Sequence, residues 1–219
     1  MRHDTVAIVP AGGQSRRLGE RVGPGGKAAL VVAGESLLGR VCRVLAAEVA
    51  RVIVVAPAGR PLPPLPPGID VVPDREPGRG PLAAIRDGLA AVAARGEPVP
   101  RRALLVACDL PRLSSEIVRR LLDHEPAPGT RWLVPLVAGE PQPLLSVLSL
   151  DLAAVLEATL AADRRSLRGA LAAVAESDPK AVAVCDAAVL FGTEADLAVF
   201  ADIDTPDDLS ACDVRVEPG

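Results

Sequence analysis

The sequence predicts an α/β fold in which a mostly parallel central sheet is covered by helices on both faces. Short β-branched apolar segments alternate with longer segments whose apolar residues recur at helical spacing. The strand-like segments are apolar at successive positions, as is typical of strands buried on both faces. A hydrophobic share of 49% can fill a sizeable core, and we expect a single domain over residues 1–219.

The predicted elements follow one another in the order that such a sheet requires. Strands are predicted at residues 5–9, 51–56, 69–72, 103–108, 132–137 and 144–148. Helices are predicted at residues 36–50, 81–95 and 151–163, with a further helix capped by Ser114. The helix at 81–95 has Pro81 at its first position and Gly96 beyond its end, where these residues are favoured. The proline-rich segment 57–68 predicts an exposed loop.

Composition and charge argue against several functions. The net charge is −4, and no basic stripe with interleaved aromatics is present, so nucleic acid is not an expected partner. No apolar run approaches the roughly 18 residues of a membrane span. The chain starts directly with a strand-like segment and no signal peptide, which predicts a cytoplasmic protein. The four cysteines are far apart with no Cys-x-x-Cys, so we expect reduced thiols rather than disulfides or a zinc site.

A glycine-rich loop after the first strand is the strongest functional signal. Gly12 and Gly13 let the backbone approach a ligand closely, and successive amides in such a turn form an anion-binding concavity. Arg16, Arg17 and Lys27 add positive charge. Lys27 is one of two lysines among 24 basic residues, and its compact ammonium suits crowded phosphate oxygens. The pattern is neither a P-loop nor a Rossmann fingerprint, and the alternative is a surface loop with solvated arginines.

Two further candidates lie at other strand ends, where ligands bind in such sheets. Asp109 directly follows a buried strand, and its carboxylate suits Mg²⁺, which usually takes one or two carboxylates plus substrate phosphates. Asp74 ends another strand and can accept hydrogen bonds from a ribose or a base. Gly80 precedes a helix whose N-terminus carries positive partial charge. The alternative for both aspartates is turn or cap chemistry.

Residues 11–30 resemble the signature of nucleotidyltransferases that activate small phosphorylated molecules, and among these the molybdenum cofactor guanylyltransferases of the MobA-like family. The family pattern is Leu-Ala-Gly-Gly-x-Ser-Arg-Arg-Met-Gly followed by Asp-Lys; this chain has Pro10 for the Leu, Leu18 for the Met and Gly26 before the Lys, with a longer insert. Cys108-Asp109-Leu110-Pro111 is similar to the family's Cys-Asp-Met-Pro. The resemblance implies the three-layer, Rossmann-like fold of nucleotide-diphospho-sugar transferases, with Mg²⁺ on Asp109.

The resemblance also implies roles for individual residues. The catalytic group comprises Lys27, Asp109 and Arg17. The implied nucleotide-binding residues are Pro10, Ala11, Gly12, Gly13, Ser15, Arg16, Lys27, Asp74, Gly80 and Asp109.

The second half of the chain carries the expected acceptor side. Residues 140–145 resemble the family's Gln-Pro-Leu segment, which implies a binding role for Gln142. Arg165, Ser166 and Arg168 resemble its Arg-Ser-Val-Arg, and arginines there can bind the acceptor's phosphate; the alternative is that Ser166 only caps the next helix. Residues 202–209 resemble Asn-Ile-Asn-Thr-Pro-Glu-Asp-Leu, so Asp204 is a further candidate for the metal, although the same residues also form a good capping box.

The reaction that the resemblance implies is transfer of GMP from GTP to molybdopterin, giving the guanine dinucleotide cofactor and pyrophosphate. A phosphate acceptor is already an anionic nucleophile, which agrees with a chain that has two histidines and no Ser-His-Asp arrangement. The alternatives are CTP with molybdopterin, GTP with 2-phospholactate, CTP with a methylerythritol phosphate, or a non-catalytic nucleotide-binding module. A family Asn after the second strand is absent from Ala56-Pro57-Ala58. Transient contact with a molybdoenzyme would allow direct transfer of the product.

Overall fold

The computed structural model of this protein describes residues 2–13, 23, 25–95, 100–192, 197–200 and 214–215, with backbone alone at residues 2, 3, 214 and 215. The strands are β1 (Arg2–Pro10), β2 (Val31–Val32), β3 (Glu35–Ser36), β4 (Val49–Pro57), β5 (Asp70–Asp74), β6 (Arg102–Val106), β7 (Trp132–Val137), β8 (Glu140–Pro141), β9 (Leu145–Ser149), β10 (Val182–Asp186) and β11 (Val214–Arg215). The α-helices are α1 (Leu37–Glu48), α2 (Pro81–Ala93), α3 (Ser115–Asp123), α4 (Ala153–Ala161), α5 (Leu167–Ser177) and α6 (Ala187–Phe191). Short 3-10 helices lie at Gly26–Ala29, Leu150–Leu152, Pro179–Ala181 and Ala198–Phe200.

The central sheet has the strand order β10-β7-β9-β6-β1-β4-β5, and β8 pairs with β7. The pairs β6–β1, β1–β4, β4–β5 and β7–β10 are parallel. A second, small antiparallel sheet has the order β11-β2-β3. The predicted mostly parallel sheet is therefore confirmed.

The core has two halves, one on each face of this sheet. Alternate β1 residues point to opposite faces, so Ala7 and Val9 join one half while Val6 and Ile8 join the other. The first half is covered by buried residues of α1, α3 and α6, and the second by buried residues of α2, α4 and α5. The three layers thus follow from strands that are apolar on both faces, as the sequence predicted.

Strand β9 is antiparallel to both of its neighbours, β6 and β7. A hairpin explains how the chain reverses before it. Ala138 and Gly139 join β7 to β8 with φ values of 49° and 83°, and two positive φ angles are what a type I′ turn requires. The following residues 142–144 then bring β9 back between β7 and β6.

The predicted element boundaries differ from the observed ones at several points. Helix α1 begins after its cap Ser36, whose Oγ accepts a hydrogen bond from Gly39 N (3.1 Å), but it ends at Glu48 because Val49 already belongs to β4. The strand predicted to reach Cys108 ends at Val106. The helix predicted from residue 151 begins as a 3-10 turn before α4. The cap at Ser114 is confirmed, and residues 58–68 form a loop as predicted, but Pro57 belongs to β4 and the loop is only partly exposed because Leu62 and Leu65 pack against the core.

Two further observations concern thiols and membranes. Cys42, Cys108 and Cys185 are free thiols, and burial raises the pKa of Cys42 to about 12. Within the described ranges, no helix combines the length and the apolar character that crossing a bilayer would need.

Candidate active site

Four adjacent strand ends build the site. The carboxyl ends of β6, β1, β4 and β5 lie side by side in that order, because these strands are parallel neighbours. Asp109 comes shortly after β6, the Gly12–Gly13 turn comes shortly after β1, and Arg60 comes shortly after β4. Asp74 is the last residue of β5. Three strand spacings of about 4.8 Å separate the Asp109 end of this row from the Asp74 end. An extended ligand can therefore lie along the edge of the sheet.

Lys27 and Asp109 meet at one end of the row. Lys27 Nζ donates a hydrogen bond to Asp109 Oδ2 at 3.1 Å, although the two residues are 82 positions apart in the chain. Their side chains are only 15% and 17% exposed. Gly26 and Ala28 are buried beside Lys27, and they anchor the 3-10 turn that carries it. This pair joins two separately predicted signals in one place.

A cavity of about 560 Å³ lies over the strand ends. Eight residues that the sequence analysis predicts for the site line this cavity: Pro10, Ala11, Gly12, Gly13, Lys27, Asp74, Gly80 and Asp109. Its other described walls are Gly25, Ala28, Arg60, Gly78, Pro81, Ala84, Ala107, Cys108 and Leu144. A pocket of this size, with few convergent polar groups among apolar walls, is typical of small-molecule sites.

Asp74 forms the other end of the row and is 6% exposed. Its Oδ1 accepts a hydrogen bond from Glu76 N at 3.1 Å. Burial, with the negative charge of nearby Asp87 as a further cause, raises the pKa of Asp74 above its ordinary value. A Cβ on Gly12 would lie 3.0 Å from Asp74 Oδ2, so glycine allows the loop to contact this carboxylate.

Gly80 positions the start of helix α2 against the cavity. It has φ of 93° at the N-cap, a conformation that favours glycine. A Cβ there would also lie 3.0 Å from the carbonyl oxygen of Arg165. Pro81 and Ala84 of α2 form part of the cavity wall, so the positive end of the helix faces the ligand space.

Ion pairs hold the segment between Asp74 and Gly80. Asp87, almost fully buried on α2, accepts a hydrogen bond from Arg75 N at 2.8 Å and pairs with Arg86 at 2.9 Å. Glu76 pairs with Arg86 at 2.6 Å and with Arg79. These contacts fix the turn through which the chain passes from β5 to α2.

The four predicted acceptor residues lie outside the described cavity wall. Arg165 pairs with Asp163 at 2.9 Å, and Arg168 pairs with Glu140 at 2.7 Å. Ser166 Oγ caps α5 by accepting from Gly169 N (3.0 Å), so the capping alternative for this residue is observed. Gln142 Nε2 donates to the Glu140 carbonyl (3.2 Å). Residues 140–142 and 165–168 thus meet through the Arg168–Glu140 ion pair.

The sequence analysis does not identify Arg60, a charged residue of the cavity wall, and four predicted site residues lie outside the described ranges. Arg60 faces the cavity from the loop that was predicted only to be exposed. The sequence signal for it would have been the Ala58-Gly59 turn directly after the carboxyl end of β4. The remaining predicted residues lie outside the described ranges: Ser15, Arg16, Arg17 and Asp204.

The described residues suit Mg²⁺ better than a metal that needs a full protein cage. No group of three or more His, Cys, Asp or Glu side chains that could hold a metal exists in the part of the chain that the structure describes. Mg²⁺ needs no such group, because it takes one or two carboxylates plus substrate phosphates. Asp109 is a partly exposed carboxylate at the cavity wall and fits this requirement.

Together, these features define an α/β fold with a cavity at the edge of its sheet, lined by a glycine-rich loop and a lysine–aspartate pair. The chain belongs to the MobA-like NTP transferase family, because the sequence profile of the MobA-like NTP transferase domain matches residues 7–177. The resemblance stated from the sequence is confirmed, and with it the assignment to a family of nucleotidyltransferases.

Relatives and solved structures agree with this family. A Mycobacterium marinum protein named "Probable molybdenum cofactor guanylyltransferase" is 32% identical over 196 residues, covering 88% of this chain and 90% of the relative. A Mycobacterium tuberculosis protein of the same name is 40% identical over 125 residues, and the match spans 54% of this chain and 56% of that protein. The structure of molybdopterin-guanine dinucleotide biosynthesis protein A from Archaeoglobus fulgidus matches with a TM-score of 0.69 at 21% identity, covering 95% of this chain and 96% of that one. This structural likeness confirms the predicted fold.

Proposed function

We propose that this protein transfers GMP from GTP to molybdopterin, forming the guanine dinucleotide cofactor and pyrophosphate. The observation that carries the proposal is the Lys27–Asp109 pair, 3.1 Å apart at the wall of a cavity that also contains the glycine loop. A cation, a hard oxygen ligand and loop amides are the groups that a triphosphate with Mg²⁺ requires. The names of the mycobacterial relatives support the choice of substrates.

Lys27 and the glycine loop would hold the phosphates of the nucleotide. The Lys27 ammonium neutralises negative charge that builds up on the leaving pyrophosphate, and the loop amides are aligned before the substrate arrives. Asp109 would hold Mg²⁺, which when bound neutralises phosphate charge and orients the triphosphate. The Lys27 ammonium donates a hydrogen bond to the Asp109 carboxylate. This bond orients the carboxylate and partly balances its negative charge before the substrate binds.

The chemistry needs no protein nucleophile. An oxygen of the acceptor's phosphate attacks the α-phosphorus of GTP, and a new P–O bond forms there. The bond from the α-phosphorus to the bridging oxygen of the β-phosphate breaks, and its electron pair leaves with pyrophosphate. The role of the chain is therefore to position and to neutralise, which is how phosphoryl-transfer enzymes act in general.

The nucleoside would lie toward β4 and β5, at the end of the row opposite Lys27. There the buried Asp74 carboxylate can accept a hydrogen bond from a ribose hydroxyl or a base N–H. The acceptor would enter from the side of residues 140–142 and 165–168, where Gln142, Arg165 and Arg168 supply donors for its phosphate. Ser166 would contribute by capping α5 rather than by contact. Release of the product to a molybdoenzyme belongs to the same proposal.

A second candidate keeps the reaction and changes the substrates. The family asparagine after the second strand is replaced here by Ala56-Pro57-Ala58, which removes a side-chain amide from the nucleoside end of the cavity. CTP with molybdopterin, GTP with 2-phospholactate and CTP with a methylerythritol phosphate are therefore the alternatives to test.

The test is an assay with GTP labelled at the α-phosphate or at the γ-phosphate, with molybdopterin and Mg²⁺. We expect the α-label in the dinucleotide product and the γ-label in pyrophosphate. Label in free phosphate, or no product with any acceptor, would contradict the proposal, and transfer from CTP would favour the second candidate. Lys27→Met should slow transfer by on the order of 10²- to 10³-fold, whereas Lys180→Met, which changes the other, exposed lysine, should leave the rate unchanged.

A further inference from the structure

Arg60 lies at the cavity wall but belongs to none of the sequence motifs. It follows β4 in the proline-rich segment 57–68, and its backbone N donates to the Pro57 carbonyl at 3.2 Å. Gly59, with φ of 78°, is the third residue of this four-residue turn, where a type II turn needs glycine. The turn brings the Arg60 side chain from the end of β4 toward the end of β1, which is the neighbouring strand.

The guanidinium of Arg60 holds the glycine loop by its carbonyl groups. Arg60 Nη1 donates to Ala11 O at 3.3 Å and to Gly13 O at 3.0 Å. On the strand side, Ala11 N donates to Val55 O at 2.7 Å and continues the parallel pairing of β1 with β4. The turn around Gly12 is therefore tied at both ends, once to the sheet and once to a charged side chain.

The same segment also reaches the second half of the glycine-rich region. A Cβ on Gly25 would lie 3.6 Å from the Pro61 carbonyl oxygen. Gly25 precedes the 3-10 turn that carries Lys27. Arg60 thus contacts the Gly12–Gly13 turn, and the next residue, Pro61, approaches the backbone that precedes the lysine turn.

These contacts have a consequence for ligand binding. In a planar trans peptide the carbonyl points away from the following N–H, so fixing Ala11 O also fixes the direction of the Gly12 amide. A loop that is ordered before the ligand arrives loses less conformational entropy on binding. Fixed amide dipoles also need no reorganisation during the reaction. Arg60 adds one positive charge to a wall whose described carboxylates are Asp74 and Asp109.

We propose that Arg60 is a positioning residue, which fixes the glycine loop in its nucleotide-binding conformation through the carbonyl groups of Ala11 and Gly13. This rests on the proposed function of the cavity as a nucleotide site. The bonds are charge-assisted, and losing them should weaken nucleotide binding by about 10- to 100-fold. Arg60→Lys keeps a cationic donor but has a shorter overall reach and no planar fork, so it should recover part of that loss.

The first test needs no nucleotide. Hydrogen exchange of the amides at residues 11–13 should be faster in Arg60→Met than in the wild type, with the melting temperature unchanged. Arg43→Met is the matched control, because Arg43 lies on the exposed side of α1 and pairs with Glu35 at 2.9 Å, far along the chain from the loop. Equal exchange in Arg60→Met and wild type would overturn the proposal.

The second test measures the affinity for Mg²⁺-GTP and Mg²⁺-7-deaza-GTP by calorimetry. A positioning role predicts the same fold-loss for both nucleotides in Arg60→Met, with partial recovery in Arg60→Lys. A loss confined to GTP would show that Arg60 contacts N7 of the base, and it would overturn the positioning role. Because affinity is the readout, this result decides about Arg60 even if the wild type transfers no GMP, which would count against the proposed function alone.

Discussion

The two sides of the cavity are built differently. On the proposed nucleotide side, Asp74 ends a parallel strand and Asp109 lies three residues beyond another, while Lys27 comes from a 3-10 turn and meets Asp109 across 82 residues of chain; all three side chains are largely buried. On the proposed acceptor side, Arg165 and Arg168 lie in surface segments, where they are 54% and 64% exposed and are paired with the acidic residues Asp163 and Glu140. The sheet therefore fixes the first set of groups, whereas the second set can exchange its partners for a ligand at little cost.

The largest effect is expected at the lysine–aspartate pair. Lys27→Met and Asp109→Asn should each lower kcat by on the order of 10²- to 10³-fold, because each removes charge stabilisation of the reacting phosphates. The double variant should be little worse than either single variant, since the two groups act as one unit.

Steady-state kinetics of the four proteins, wild type included, would check this. Lys180→Met and Asp151→Asn are controls at exposed positions, with Asp151 58% exposed and 3.8 Å from Arg131. If the activation free energies lost in the two single variants add up in the double variant, Lys27 and Asp109 act independently. Their ion pair would then have no role in the reaction.

Gly80 lies where the two sides touch, so its replacement tests whether they are coupled. Gly80→Ala should lower the free energy of unfolding by about 1–3 kcal/mol, because φ of 93° strains alanine and the new methyl group would meet the Arg165 carbonyl. Gly68→Ala is the matched control: its φ is 82° and no atom lies within 4 Å of a Cβ there. Chemical denaturation should show a larger loss of unfolding free energy for Gly80→Ala than for Gly68→Ala. Equal losses would mean that the backbone at Arg165 moves away from the new methyl group at no cost.

The exposed arginines should matter for the acceptor and not for stability. The Arg168–Glu140 pair is more than half exposed on both sides, so Arg168→Ala should change the free energy of unfolding by less than about 1 kcal/mol. The KM of the Arg168→Ala variant for molybdopterin should rise about tenfold, because the loss of one charged hydrogen bond weakens binding by about that factor. Its KM for GTP should be unchanged. Arg164→Ala, which loses a 3.6 Å pair with Glu176, is the control. An unchanged KM for molybdopterin would remove Arg168 from the acceptor site.

The smallest effect concerns Asp74 and pH. Its raised pKa means that the folded state holds the proton more tightly than the unfolded state. The stabilisation that comes from this tighter proton binding is fully present below pH 3.8, the ordinary pKa of an aspartate. It is lost as the pH rises through the folded-state pKa of Asp74. Asp74→Asn should therefore become more stable relative to wild type as pH increases through this window. Denaturation curves over this pH range would check it, and a difference independent of pH would contradict the assigned burial.

The sequence was most informative where a residue's role depends on its place relative to a buried strand. Asp74, Asp109 and the glycine loop were found because apolar β-branched runs mark strands, and strand ends mark ligand sites. The direction of β9 was not predictable, because side-chain periodicity is the same for parallel and antiparallel strands. Val49 was assigned to a helix because it continues the apolar face of α1, yet it also suits the strand that follows.

The limits of sequence reasoning were clearer for single side chains. The only sequence signal for Arg60 is the Ala58-Gly59 turn before it, and that turn does not specify that the guanidinium reaches Ala11 and Gly13. The acceptor motifs were found by resemblance, but nothing in the pattern specified that Arg168 would pair with Glu140 across more than 25 residues. Such pairings depend on how loops approach each other, and local patterns do not encode that.

Calorimetry of Mg²⁺-GTP, Mg²⁺-CTP, Mg²⁺-ATP and Mg²⁺-UTP binding to the wild type and to Lys27→Met tests most directly whether this cavity holds a nucleoside triphosphate. We expect the wild type to bind GTP in preference to the other three nucleotides, and we expect Lys27→Met to lose that binding. Lys180→Met should bind GTP as the wild type does. Failure of the wild type to bind any of the four nucleotides, or binding that Lys27→Met leaves unchanged, would contradict the claim that this cavity holds a nucleoside triphosphate at the Lys27–Asp109 pair.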